Sequence, residues 1–167
     1  MEDSPMEDFG HPALGRLLAE LAESVEETHA QHGDATARVD CRSIPDVLIF
    51  LRDDPDCEFE MLTDVTAVDY LGEEPRFELV YHLYSVEKNH RLRIKARVAE
   101  GEPVAPSAVP VYASANWMER EVFDLYGIHF DGHPDLRRIL LYDEFEGHPL
   151  RKDYPKEKRQ PLLGPRN

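Results

Sequence analysis

Residues 77–98 read F-E-L-V-Y-H-L-Y-S-V-E-K-N-H-R-L-R-I-K-A-R-V. Two runs rich in β-branched and aromatic residues, Phe77 to Val86 and Leu92 to Val98, flank the polar tetrad Glu87-Lys88-Asn89-His90, so the stretch predicts a β-hairpin. In the second run Leu92, Ile94, Ala96 and Val98 alternate with Arg91, Arg93, Lys95 and Arg97. One face of the strand therefore belongs to a core, and the other carries four positive charges in a row. That row suits either a solvated sheet face or a contact face for an acidic partner.

Working outward, Phe59 to Tyr70 is rich in Val, Thr and aromatics and predicts a further strand, separated from the hairpin by the turn Gly72-Glu73-Glu74-Pro75. Ser43 and Pro45 signal a helix start; Val47, Leu48 and Leu51 give it an apolar face, and Asp53-Asp54-Pro55 closes it. Ala35 to Arg42 alternates weakly, as a strand does. Leu14, Leu17, Leu18, Leu21 and Val25 form a helical stripe, predicting one helix from Pro12 to Gln31 that Gly33-Asp34 ends. Residues 101–110 hold three prolines and read as a linker. The order indicates an α+β fold of two layers, with a mostly antiparallel or mixed sheet and helices on one side. Residues 1–11 form an acidic tail, 12–142 the α+β domain, and 143–167 an extended C-terminal docking segment.

The 167 residues suffice for one domain with its own core. The longest apolar run, Val47 to Leu51, is far short of the roughly 20 residues of a spanning helix. Met1 to Gly10 carry four acids and no base, which fits neither a secretory signal nor a transit peptide and leads to an expectation of cytoplasmic residence. In that compartment Cys41 and Cys57 are expected as buried thiols rather than a disulfide, and two cysteines do not make a structural zinc or iron–sulfur centre. A net charge of −15 argues against nucleic acid, yet residues 150–167 hold six bases and two acids. A basic end on an acidic chain is either solvated or docked on an acidic neighbour.

Asn116 to Pro155 is the stretch densest in residues that are costly to place idly: N-W-M-E-R-E-V-F-D-L-Y-G-I-H-F-D-G-H-P-D-L-R-R-I-L-L-Y-D-E-F-E-G-H-P-L-R-K-D-Y-P. Asn116 with Glu119 offers a capping box, and Gly127 a helix end. Met118, Val122, Leu125 and Tyr126 fall on one helical face, the expected core stripe. Trp117, Arg120, Glu121 and Asp124 fall on the opposite face, with Arg120 and Asp124 spaced to pair. Trp and Arg dominate interface hot spots, so this face, with Glu119 beside it and His133, Arg137 and Arg138 beyond it, is read as a partner interface. His129, His133 and His148 raise the alternative of a small metal-dependent enzyme, although their spacing is not that of a compact site. Each Gly-His-Pro triplet (132–134 and 147–149) is better suited to a turn whose imidazole bonds to backbone or a carboxylate. After Tyr142 the chain has few apolar residues; Phe145, Leu150 and Tyr154 are expected to anchor it along something else, with His148, Arg151, Lys152 and Asp153 in the contact.

These residues resemble the C-subunit family of proton-pumping NADH:quinone oxidoreductase, respiratory complex I. The family signature runs E-R-E, two residues, an acid, two apolar residues, six residues, His or Lys, three residues, Arg, one residue, aliphatic. Glu119-Arg120-Glu121, Asp124, Leu125-Tyr126, His133, Arg137 and Ile139 meet it throughout. Gly147 to Pro155 looks like the family's second block and Leu62 to Tyr70 like its sheet region. The resemblance implies a protein without catalytic, cofactor-binding or metal residues of its own, in the peripheral arm on the cytoplasmic face of a bacterial inner membrane. It implies packing on the hydrogenase-like D subunit of the complex, near the B and I subunits, with FMN and iron–sulfur clusters on those partners and quinone as the complex's substrate. Relatives also serve membrane-bound hydrogenases and deazaflavin-linked dehydrogenases, so these motifs leave the electron donor open.

Overall fold

The computed structural model describes residues 6–160. Three helices, α1 (Pro12–Glu20), α2 (Ile44–Asp53) and α3 (Ala115–Tyr126), accompany seven strands: β1 (Val25–His29), β2 (Thr36–Val39), β3 (Met61–Asp69), β4 (Phe77–Ser85), β5 (His90–Val98), β6 (Val104–Pro106) and β7 (His129–Asp131). Five strands form one mixed sheet in the order β1-β2-β5-β4-β3. β2 pairs with β5 in parallel, and the other neighbours are antiparallel. β6 and β7 make a separate parallel pair.

The β4–β5 hairpin forms as its alternation predicts. Leu92, Ile94, Ala96 and Val98 lie opposite Leu83, Tyr81, Leu79 and Phe77, all buried. They join Leu14 and Leu17 of α1 and Ile44, Val47, Leu48 and Leu51 of α2 in a single core. Burial of each such side chain is worth roughly 1.5–3 kcal/mol, which is why the hairpin and both helices hold together. The basic row lies on the other face, bonded within the chain. Arg93 reaches Asp34, Lys95 reaches Glu78, Arg97 reaches Glu73, and Arg91 lies over the Tyr84 ring. Cys41 and Cys57 are free thiols; Cys57 is buried as expected and Cys41 half-buried.

Two expectations need correction. The helix predicted over Pro12 to Gln31 stops at Glu20, and Val25 to His29 is an edge strand on β2. Val25 fits a helical and a strand pattern equally well. Pairing decides, because strand β1 buries Val25 and Thr28 together, and Arg38 grips both Glu26 and Glu27 across the ladder. Residues 101–110 are not a mere linker. Pro103 lacks an amide proton but keeps its carbonyl, which accepts the His129 N–H, and Ser107 N–H donates to Asp131, framing the β6–β7 pair.

The segment after Tyr142 also has a definite course. Through residue 160 it lies on its own domain as a strap. At its far end Asp153 meets Arg76, which is 1% exposed and is gripped at 2.7 Å by both oxygens of buried Asp69. Glu100 takes a third share of the guanidinium, and Lys152 N–H donates to Asp69. Residues 1–5 of the predicted tail and 161–167 of the predicted docking segment lie outside the described residues.

Arg76 holds the carboxyls of Asp69 and Asp153 below the ordinary carboxylate range. Depressed folded values mean that the stability is present above about pH 4 and is lost as pH falls through the folded values. Arg76→Leu strands Asp69 as a buried charge and is expected to cost roughly 3–5 kcal/mol in urea unfolding near neutral pH. The same variant should lose much of the wild-type fall in stability on acidification, read from urea midpoints between pH 3 and pH 7.

Candidate functional site

Helix α3 begins at Ala115, one residue before the predicted cap, and ends as expected at Gly127 in the left-handed region (φ +73°). A Cβ at Gly127 would sit 2.5 Å from Nε2 of His148 and 2.8 Å from Nη2 of Arg151, so the strap crosses the helix end where only glycine fits. The capping box does not form. Glu119 turns inward, fully buried, and accepts from Ser107 Oγ and the Ala108 N–H at 2.7 and 2.6 Å. Burial pushes its carboxyl up to about 7, against the pull of those two donors.

Asp124 is the post around which the chain beyond β7 winds. Its Oδ2 accepts three consecutive amide protons, from Ile139, Leu140 and Leu141, and its Oδ1 pairs with Arg138 at 2.7 Å. Burial opposes the charge, but these donors outweigh it and hold the carboxyl below its ordinary value. The backbone carbonyl of Asp124 accepts from the His148 ring at Nδ1. Arg120 does not pair with Asp124; its guanidinium donates to the carbonyls of Arg137 and Arg138 and lies 5.2 Å from the Trp117 ring. Arg151 donates to the Tyr126 carbonyl, capping the helix C-terminus.

Of the residues read as an interface, Glu119, Arg120 and Asp124 are thus buried and bonded within the chain. Helical periodicity placed the last two on an open face; it could not register that residues 133–151 return to cover that face. The expected core stripe is correspondingly looser, with Val122 buried and Met118, Leu125 and Tyr126 half-buried. His133 donates from Nε2 to the Asn116 carbonyl and accepts the Asp135 N–H at Nδ1. Both Gly-His-Pro triplets make turns, with Gly132 and Gly147 at positive φ. His129 and His148 both meet the Phe123 ring edge-on, at centroid distances of 5.0 and 6.3 Å. Among the described residues no group of three or more His, Cys, Asp or Glu is arranged to hold a metal. Arg151 is half-buried; Lys152 and Asp153 are exposed, although Asp153 reaches inward to Arg76.

Part of that face does remain outward. Trp117 is 63% exposed, Leu140 60%, and the Arg137 side chain 71%, paired among the described residues with exposed Asp135. Glu121 is exposed one turn from Trp117. Leu140 was not singled out by the sequence. Its signal is the run Ile139-Leu140-Leu141 placed where no helix or strand accounts for it.

The fold is thus an α+β module with a C-terminal strap packed across α3, and no described helix is long and apolar enough to cross a membrane. The chain belongs to the respiratory-chain NADH dehydrogenase 30 kDa subunit family, whose model matches residues 37–160. It is 54% identical over 155 residues to the NADH-quinone oxidoreductase C subunit of Trichlorobacter lovleyi, covering 91% of this chain and 94% of that one. It is 51% identical to the corresponding C subunit of Caulobacter vibrioides, over 85% of this chain and 72% of that protein. Among solved structures it resembles the trypsin-resistant fragment of Nqo5 (TM-score 0.65, 30% identity, 74% of this chain and 99% of that one). It also resembles a chain of an archaeal membrane-bound sulfane sulfur reductase (TM-score 0.76, 27% identity, 89% and 86%).

The raised value of Glu119 means that its protonated form favours the fold. The contribution is complete below the ordinary glutamate value and is lost as pH rises through about 7. Glu119→Gln can still accept from Ala108 and donate to Ser107. It is expected to be more stable than wild type above pH 7, by roughly 3 kcal/mol at most, and to differ little near pH 4.5. Urea midpoints at both pH values check this.

Proposed function

We propose that this chain is a cofactor-free structural component of the peripheral arm of NADH:quinone oxidoreductase and is not catalytic by itself. It docks on the hydrogenase-like D subunit, near the B and I subunits, on the cytoplasmic face of a bacterial inner membrane. FMN and iron–sulfur clusters reside on the partner proteins, and the assembled complex couples electron transfer from NADH to quinone with proton translocation. The names of the relatives support the complex. The observation that carries the docking is the pair Trp117 and Leu140. Both are exposed; Arg120 holds the first and Asp124 the second, with Arg137 and Glu121 at the rim. A large aromatic stacked on a buried guanidinium and an aliphatic side chain on backbone held by a buried carboxylate form a pre-ordered hot spot, since little ordering cost is left for binding. The inward residues Glu119, Arg120, Asp124, Arg138, His148 and Arg151 act by shaping that surface; His133 bonds the start of α3, and Lys152 and Asp153 tie the strap at the Arg76 clasp.

A second reading, the equivalent component of a membrane complex with another electron donor, draws on the sulfane sulfur reductase match. The relatives above 50% identity favour the NADH-linked complex.

Trp117→Ser combined with Leu140→Ser removes exposed groups only, so the isolated chain should unfold within a few degrees of wild type. Recovery of the D subunit with the tagged variant from mildly solubilised membranes is expected to fall about tenfold or more. Undiminished recovery would overturn the docking surface.

A further inference from the structure

The N-terminal turn presents a second interaction surface, independent of Trp117. Phe9 has φ +47°, in the left-handed region where a bulky side chain is strained, and is nevertheless 45% exposed. Nothing about the turn is loose. Glu7 is tied to Thr28 Oγ1 through both its N–H and its carbonyl, at 2.9 and 2.8 Å. Asp8 Oδ1 accepts the Gly10 N–H, and the Asp8 carbonyl accepts the His11 N–H. The His11 ring stacks on His90, which stacks on Phe59 in the core. The chain is thus anchored on either side of Phe9 and spends strain to hold an aromatic ring in water.

Beside it runs a groove of about 540 Å³, walled by the turn, the start of α1, Asp56 and Lys88. The β4–β5 hairpin that supplies Lys88 leaves Val86 55% exposed. Charges around the groove are lopsided. Arg16 is occupied by Glu20, Asp54 and Asp56, and Lys88 by Glu58. With Asp8, the solvent-facing carboxylates are Asp8, Glu20, Asp56 and Glu58, against Arg16 and Lys88, and buried Asp54 already neutralises part of the Arg16 charge.

We infer that the Phe9 turn is a docking site for a protein partner that offers an apolar pocket ringed by Lys or Arg. The aromatic supplies the buried anchor, and the acidic rim supplies orientation and selectivity for a basic surface. The same charge repels an anionic lipid surface, which sets a membrane contact aside.

The test uses the full chain in its native membranes. Benzoylphenylalanine installed at Phe9 is photoactivated, and the adducts are mapped by peptide mass spectrometry. The expected product joins position 9 to one peptide of another protein with Lys or Arg next to the attachment point. Its yield should drop roughly fivefold when Asp8→Lys and Asp56→Lys are present, as a charge-steered contact requires. In parallel, Phe9→Gly relieves the left-handed strain, so the purified chain should melt at the same temperature or higher. Adducts confined to lipid, to this chain, or to a peptide without a base would overturn the inference. So would the absence of any adduct, or a melting temperature lowered by Phe9→Gly. The same probe at Trp117 reads the other surface separately, so either site can fail while the other stands.

Discussion

A carboxylate sealed from water by its own chain, that of Asp124, is the constraint on which the outer half of the molecule depends. A buried charge is tolerable only when its lone pairs are met, and three successive amides with one guanidinium meet them here. Satisfying that charge fixes the backbone of residues 139–141, and fixing the backbone sets where Leu140 emerges. The exposed apolar surface is therefore a by-product of an internal electrostatic demand. Neither Leu140 nor Trp117 chooses its own position; Asp124 and Arg120 choose for them.

Arg76 performs a related task at the other end of the strap. It is more buried than any acid it binds except Asp69, and it draws β3, β4 and the strap to one point. Between the two clasps the strap crosses the C-terminal end of α3, where the absent side chain of Gly127 leaves room for His148 and Arg151. The polar face of the main sheet follows a different logic. There three of the four bases of β5 find acids on neighbouring strands and turns and Arg91 lies over the Tyr84 ring, the pairs whose acids are exposed contributing little by themselves.

The hairpin at residues 77–98 was legible because alternation, β-branching and a polar turn all agreed. Gly127 was legible for a similar reason, since a glycine closing an amphipathic run has few other uses. Val25 was not, because a single apolar residue followed by Glu-Glu-Thr-His satisfies a helical stripe and a strand edge alike, and only the distant β2 decides between them. The orientation of α3 failed more instructively. Glu119, Arg120 and Asp124 were recognised as unusual, and were, but periodicity assigns polar residues to solvent. What covers Arg120 and Asp124 is chain arriving from 14 to 24 positions further on, and what meets Glu119 is Ser107 and Ala108 from the segment before the helix, neither of which a local pattern announces. The family resemblance, by contrast, rested on those same residues and did not depend on knowing which way they face.

The parallel junction between β2 and β5 has a consequence for how the chain is made. Thr36 and Arg93, which meet across it, stand 57 positions apart. A ribosome releases the β1–β2 hairpin long before β5 exists to receive it, so the two N-terminal strands emerge as an orphan ribbon, too small to persist in water unaided. Their apolar side, Val25, Ala37 and Val39, is open to chance encounters for that interval. The final clasp comes later still, since Asp153 follows its partner Arg76 by 77 positions. Closure of this protein thus waits until the strap has been synthesised, and any neighbour that reads the Leu140 surface must wait with it.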